Sequence, residues 1–175
     1  AQAEDGAAFG VEVSSGVPPG ATVRGEQQWH ARLHGAWQAG RAALAALAVR
    51  GPDGGLLHLD CPLRLQLELD GPYEPAAQWR AMAVRCRLVA QLDLLALELA
   101  LVATRADGKP RCVKVAAASL ASSGFIAEVR QRLNAAPAEA ARLSFDLAEG
   151  AVLQGALVRE ACAQWRALGV RIGIE

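Results

Sequence analysis

Lysine is scarce in this chain: Lys109 and Lys114 are its only two, and the remaining basic charge is arginine. Lys114 sits between Val113 and Val115, so strand alternation turns its ammonium to the face opposite the valines. An ammonium there can offset the repulsion of nearby carboxylates, but it has no lone pair with which to ligate a metal. The other reading is a lysine at a strand end, pointing to solvent. His30 and His34 stand four residues apart on one helical face, a spacing that can bind metal. No carboxylate completes that motif, which leaves two ordinary surface histidines as the alternative. Cys61, Cys86, Cys112 and Cys162 form no C-x-x-C pair and have no histidine at zinc-ligand spacing. They read as reduced core thiols, which fits a cytoplasmic setting.

The elements that must position these residues follow from the patterning. With 175 residues, 53% of them hydrophobic and 21% charged, the chain has the composition of a globular protein with one sizeable core. A formal net charge of zero provides no long-range basic field for nucleic acid or an anionic membrane. Its apolar runs fall short of the roughly 20 residues a spanning helix needs, so neither a membrane span nor a signal peptide is expected.

Residues 1–24 read as a short strand through Phe9, Val11 and Val13, followed by a linker rich in Ser, Gly and Pro. The main unit, residues 25–175, opens with a helix over Gly25 to Gly40 that carries Trp29, Leu33 and Trp37 on one face. Ala42 to Arg50 and Leu56 to Leu69 flank a connector too short for a helical crossover, so they are predicted as antiparallel neighbours. Helices follow over Pro75 to Arg87 and Ala90 to Ala103. The order is then strand (Arg111 to Ala116), helix (Ser122 to Asn134), strand (Arg142 to Leu147), helix (Gly150 to Leu168) and strand (Val170 to Ile174). Such alternation predicts an α/β fold with a parallel sheet. A closed eight-stranded barrel needs about 200 residues or more, and five strands are predicted here, so the barrel is expected to be partial and truncated after its fifth strand.

An antiparallel first hairpin followed by βα units resembles the modified TIM barrel of EAL domains, the cyclic di-GMP phosphodiesterase family of bacterial signalling. Leu47-Ala48 stand where that family has Q-P, and Asp60-Cys61-Pro62-Leu63-Arg64 where it has E-A-L-L-R. Lys114-Val115-Ala116 with Ser119-Leu120 match N-L-S and S-L, and Asp146-Leu147-Ala148-Glu149 match E-x-T-E. Gly169 to Glu175 match the start of G-V-x-I-A-L-D-D-F-G. Residues 1–13 are similar to the end of a GGDEF domain, the usual upstream neighbour.

The resemblance implies a role for each matched position. Active members hold Mg²⁺ or Mn²⁺ with oxygen ligands at positions that are here Asp60, Lys114, Asp146 and Glu175. Three of these keep a carboxylate whose reach differs by one methylene, whereas Lys114 cannot ligate at all. No catalytic or metal site is therefore expected to be intact, and no cofactor is expected. Lys114 is expected to replace the metal by balancing Asp60, Asp146 and Glu175 at the barrel mouth, the alternative for those acids being solvated strand ends. Arg64 and Asp60 remain as ligand-binding candidates. Arg64 keeps the letter that contacts a ligand phosphate in the family, and its other reading is a surface arginine paired with Glu68. Pro62 removes one ladder donor within the motif. The implied function is a non-catalytic cyclic di-GMP receptor of the LapD type with an upstream GGDEF partner, self-associating through open strand edges. A scaffold that binds no nucleotide and a residual phosphodiesterase are the alternatives.

Overall fold

The computed structural model describes residues 19–148 and 155–174. The strand predicted within residues 1–13, together with Glu149 and Glu175, lies outside them.

Helix α1 (Pro19–Gln38) starts earlier than predicted, taking in residues 19–24 of the expected linker. Proline is suited to a first helical turn, where its missing N–H would have no partner in any case. Gly40 ends the helix as expected. At φ +61° it lets Arg41 N–H reach Ala36 C=O at 2.9 Å while its own N–H meets Trp37 C=O at 3.1 Å. This is the paired bonding of a left-handed helix stop. Leu33 and Ala36 are fully buried, with Trp29 and Trp37 packed beside them.

The predicted hairpin exists, but each of its strands is broken in two. β1 (Ala42–Leu44) and β2 (Leu47–Arg50) replace the first strand, and β3 (Leu56–Asp60) and β4 (Leu63–Gln66) the second. The second break falls at Cys61-Pro62. Cys61 N–H still bonds Cys112 C=O at 2.9 Å, whereas Pro62 has no N–H to offer and its C=O accepts from Ala45 N–H at 3.0 Å. The chain thereby passes from a five-stranded sheet to a three-stranded one made of β1, β4 and β5 (Tyr73–Pro75), the last not anticipated from the sequence.

α2 (Ala76–Arg85) and α3 (Val89–Asp107) precede β6 (Arg111–Val115). Two short helices not anticipated, α4 (Ala117–Leu120) and α6 (Pro137–Ala140), flank α5 (Phe125–Ala135), which is the helix predicted over Ser122 to Asn134, and Gly124 at φ +82° separates α4 from α5. β7 (Leu143–Leu147), α7 (Ala156–Ala167) and β8 (Arg171–Ile174) complete the order. The large sheet runs β2-β3-β6-β7-β8, antiparallel between β2 and β3 and parallel thereafter.

Val113, Val115, Leu143, Phe145 and Leu147 bury one face of this sheet in a core shared with α3, α5 and α7. A second core joins α1, α2 and β4 to other residues of α3, which is why α3 is apolar on several sides.

All four cysteines are free thiols, as expected, and only Cys86 is more than slightly accessible. Burial pushes the Cys61 thiol up to about 11, the nearby Arg111 opposing and Asp60 adding to the rise. Iodoacetamide at pH 8 is accordingly expected to label Cys86 first in the native protein and all four residues in denaturant, read by mass spectrometry. Equal rates at Cys61 and Cys86 would contradict this packing.

Candidate functional site

Parallel α/β folds place their sites at the carboxyl ends of the strands, and here β3, β6 and β7 present Asp60, Lys114 and Asp146 there. Strand alternation sends all three to the face opposite the helix-covered core. Register sets their spacing. Lys114 pairs with Asp146, which pairs with Gly173, while Asp60 lies two residues back in the row Asp60, Cys112, Ser144, Arg171. Adjacent strands are about 4.8 Å apart, so Lys114 stands beside Asp146 and diagonal to Asp60. Lys114 lines a cleft on this face, while Val113 and Val115 are buried on the other.

Two clefts share this face. One, of about 360 Å³, is lined by Lys114 and Asp146 together with Ala76, Ala77, Arg80 and Ala116. The other, of about 310 Å³, is lined by His58, Cys112, Ser144, Asp146 and Arg171. Asp146 borders both. A Cβ placed on Gly173 would meet Asp146 Oδ1 at 3.3 Å, so the glycine leaves room for that carboxylate. Cys112, in the middle of the face, registers the surrounding charge. Burial chiefly pushes its thiol up, the hydrogen bond with Ser144 opposes this, Asp146 and Asp60 add to the rise, and Lys114 lowers it.

The described donors at this face do not form a divalent-cation site. Among the described residues no three His, Cys, Asp or Glu side chains are grouped to hold one. The position between the two acids carries an ammonium, which repels a cation and lacks a lone pair. His30 and His34 stack on each other at 5.7 Å, and His34 meets Trp37 edge-on at 5.5 Å, an aromatic cluster on α1.

Arg64 is exposed on β4, in register with Ala43 and Pro75, and lines neither cleft. Pro75 adjoins Ala76, so Arg64 sits just outside the rim of the first cleft. The suggested pairing with Glu68 is overturned, because Glu68 holds Arg32 at 2.6 Å.

Sequence reasoning missed Asp93. It is 7% exposed on α3, and its Oδ2 accepts Ala116 N–H and Ser119 O–H at 2.7 Å each. Its Oδ1 accepts from Arg80 Nη2 at 3.3 Å. Burial raises the Asp93 carboxyl above its ordinary range, while Arg80, Ala116 N–H and Ser119 pull it back. The network ties α2, α3 and the start of α4 together behind the cleft. Its sequence signal was a lone Asp in an otherwise apolar helical turn.

The EAL domain family model matches residues 37–175. The fold is similar to the Vibrio cholerae LapD S helix-GGDEF-EAL structure bound to c-di-GMP, at 20% identity and TM-score 0.78 over 86% of this chain and 37% of that one. It is also similar to the Xanthomonas citri FimX EAL domain in complex with c-diGMP, at 21% identity and TM-score 0.73 over 88% of this chain and 62% of that one. The PaMucR phosphodiesterase c-di-GMP complex matches at 22% identity and TM-score 0.71, over 85% of this chain and 62% of that one. The chain thus spans less than two thirds of each of these structures. No curated protein matches it. The opening antiparallel pair, the parallel strands that follow and the family match over residues 37–175 together establish that this chain belongs to the EAL domain family.

Proposed function

We propose that this chain is a non-catalytic cyclic di-GMP signalling domain, which binds the dinucleotide at the carboxyl ends of its parallel strands and relays occupancy through its helices. The observation that carries the reading is Lys114, facing the cleft in register with Asp146 and diagonal to Asp60. Active relatives use oxygen ligands there to activate water; a fixed ammonium supplies charge balance without a metal and without an activated nucleophile. Arg64, just outside the cleft, is the expected phosphate contact, a guanidinium being matched to that geometry. Asp60 is expected to face the ligand from the next row. The three neighbouring folds, the LapD, FimX and PaMucR structures, all hold c-di-GMP and support the choice of ligand. An upstream GGDEF domain, a cytoplasmic location and self-association belong to the same reading. No described helix is long and apolar enough to cross a membrane.

Calorimetric titration of the protein with cyclic di-GMP tests it. Saturable binding that EDTA leaves unchanged, with no linear dinucleotide formed in Mg²⁺ or Mn²⁺, is the expected result. Arg64→Ala should lower the affinity by about tenfold, the worth of one charge-assisted hydrogen bond. Absence of binding would leave a nucleotide-free scaffold, and metal-dependent turnover would establish a residual phosphodiesterase; either result rejects the proposal.

A further inference from the structure

Arg80 occupies the second turn of α2, at a position neither the sequence motifs nor the preceding reading assigns to a ligand. It lines the 360 Å³ cleft with Lys114 and Asp146. Its side chain is 31% exposed, and among the described residues its one ion pair is the 3.3 Å contact from Nη2 to Asp93 Oδ1. Among the described residues Nε and Nη1 make no hydrogen bond, so most of the guanidinium's donors have no acceptor assigned to them, in a cleft whose charged lining residues are Arg80, Lys114 and Asp146.

Asp93 lies behind it. Its two hydrogen bonds to Ala116 and Ser119 fix the carboxylate, and the carboxylate fixes one corner of the guanidinium. Holding an arginine by one nitrogen while leaving its other edge open lowers the ordering cost of a second, outward bond. Ala116 directly follows β6, the strand that carries Lys114, so the carboxylate that holds Arg80 also tethers the end of that strand.

We propose that Arg80 is a ligand-binding residue that donates hydrogen bonds to a phosphodiester oxygen of the bound dinucleotide, beside Lys114. Asp93 acts as its positioning residue. The assignment rests on the signalling reading for the identity of the ligand, while the underlying chemistry, a guanidinium and an ammonium converging on a phosphate oxyanion, does not. Asp146, on the same cleft wall, disfavours a free multivalent anion, so a diester with one charge per phosphate suits the site better than a phosphomonoester.

Titration of the full chain with cyclic di-GMP is expected to show about a tenfold loss of affinity in Arg80→Gln and a smaller loss in Arg80→Lys, which keeps the charge but not the planar fork. Melting curves taken alongside show whether each variant is folded. A folded Arg80→Gln protein with wild-type affinity overturns the inference and leaves the signalling reading intact. If wild type gives no heat with cyclic di-GMP, or if the glutamine variant does not fold, the Arg80 Nε–H resonance of the wild-type chain decides, with bis(p-nitrophenyl) phosphate as the probe. A saturable shift that Lys114→Met weakens supports the seat even where the signalling reading has failed, and an unmoved resonance overturns it.

Discussion

Asp93→Ala is expected to destabilise the protein by about 3 kcal/mol or more, read as a lower urea midpoint at unchanged slope. The size follows from what is left behind. Ser119 is fully buried and loses the acceptor of its hydroxyl, Ala116 N–H loses its partner, and Arg80 loses its counter-charge. Asp93→Asn separates these effects. The amide oxygen can still accept both hydrogen bonds, while its NH₂ turns toward Arg80, so about 1 kcal/mol should be lost. The pH dependence has a definite sign. The folded state holds the Asp93 proton more tightly than the unfolded chain does. Stability from this group is therefore greatest below the unfolded carboxyl pKa of about 3.9 and declines as pH rises from there through the raised folded value. The asparagine variant lacks that decline, so its deficit relative to wild type should narrow as pH rises through this window. A constant deficit would mean that Asp93 does not titrate as its burial requires.

Element order and the face of each strand were legible from the sequence because both follow from short-range rules. A period of two residues puts Lys114 opposite Val113 and Val115 whatever the tertiary setting, and parallel pairing then aligns it with Asp146. The antiparallel opening was legible because residues 51–55 are too few to cross over. What stayed hidden depends on long-range partners. The break at Cys61-Pro62 occurs where β3 follows β6 into one sheet while β4 pairs with β1 and β5 in another, and no local propensity encodes that choice. It also displaces Arg64 from the row of Asp60, so a shared motif letter did not place the two in one cleft. Residues 73–75 became a strand through register with residues 64–66, and the helix read from Pro75 begins one residue later, at Ala76. Arg80 and Asp93 meet only because α2 and α3 fold against each other. Thirteen positions apart, they have no common sequence period.

Trp165→Ala should cost about 3–5 kcal/mol, the range for deleting a buried aromatic side chain. Trp165 on α7 is fully buried and meets Phe145 of β7 edge-to-face, with centroids 5.1 Å apart at 89°. Phe145 lies between Ser144 and Asp146, whose side chains leave the opposite face of the same strand for the clefts. The indole therefore sets the seat of β7 from behind, and a cavity there lets the strand that carries Asp146 shift relative to Lys114. Trp165→Phe is the discriminating variant. Among the described residues the indole Nε1–H is buried without an acceptor, so phenylalanine removes an unsatisfied donor while keeping most of the contact with Phe145. Its loss should be only about 1 kcal/mol, with cyclic di-GMP affinity near wild type. If Trp165→Phe proved as damaging as Trp165→Ala, the indole N–H would have to be bonded, and the account of what fixes β7 behind the cleft would be wrong.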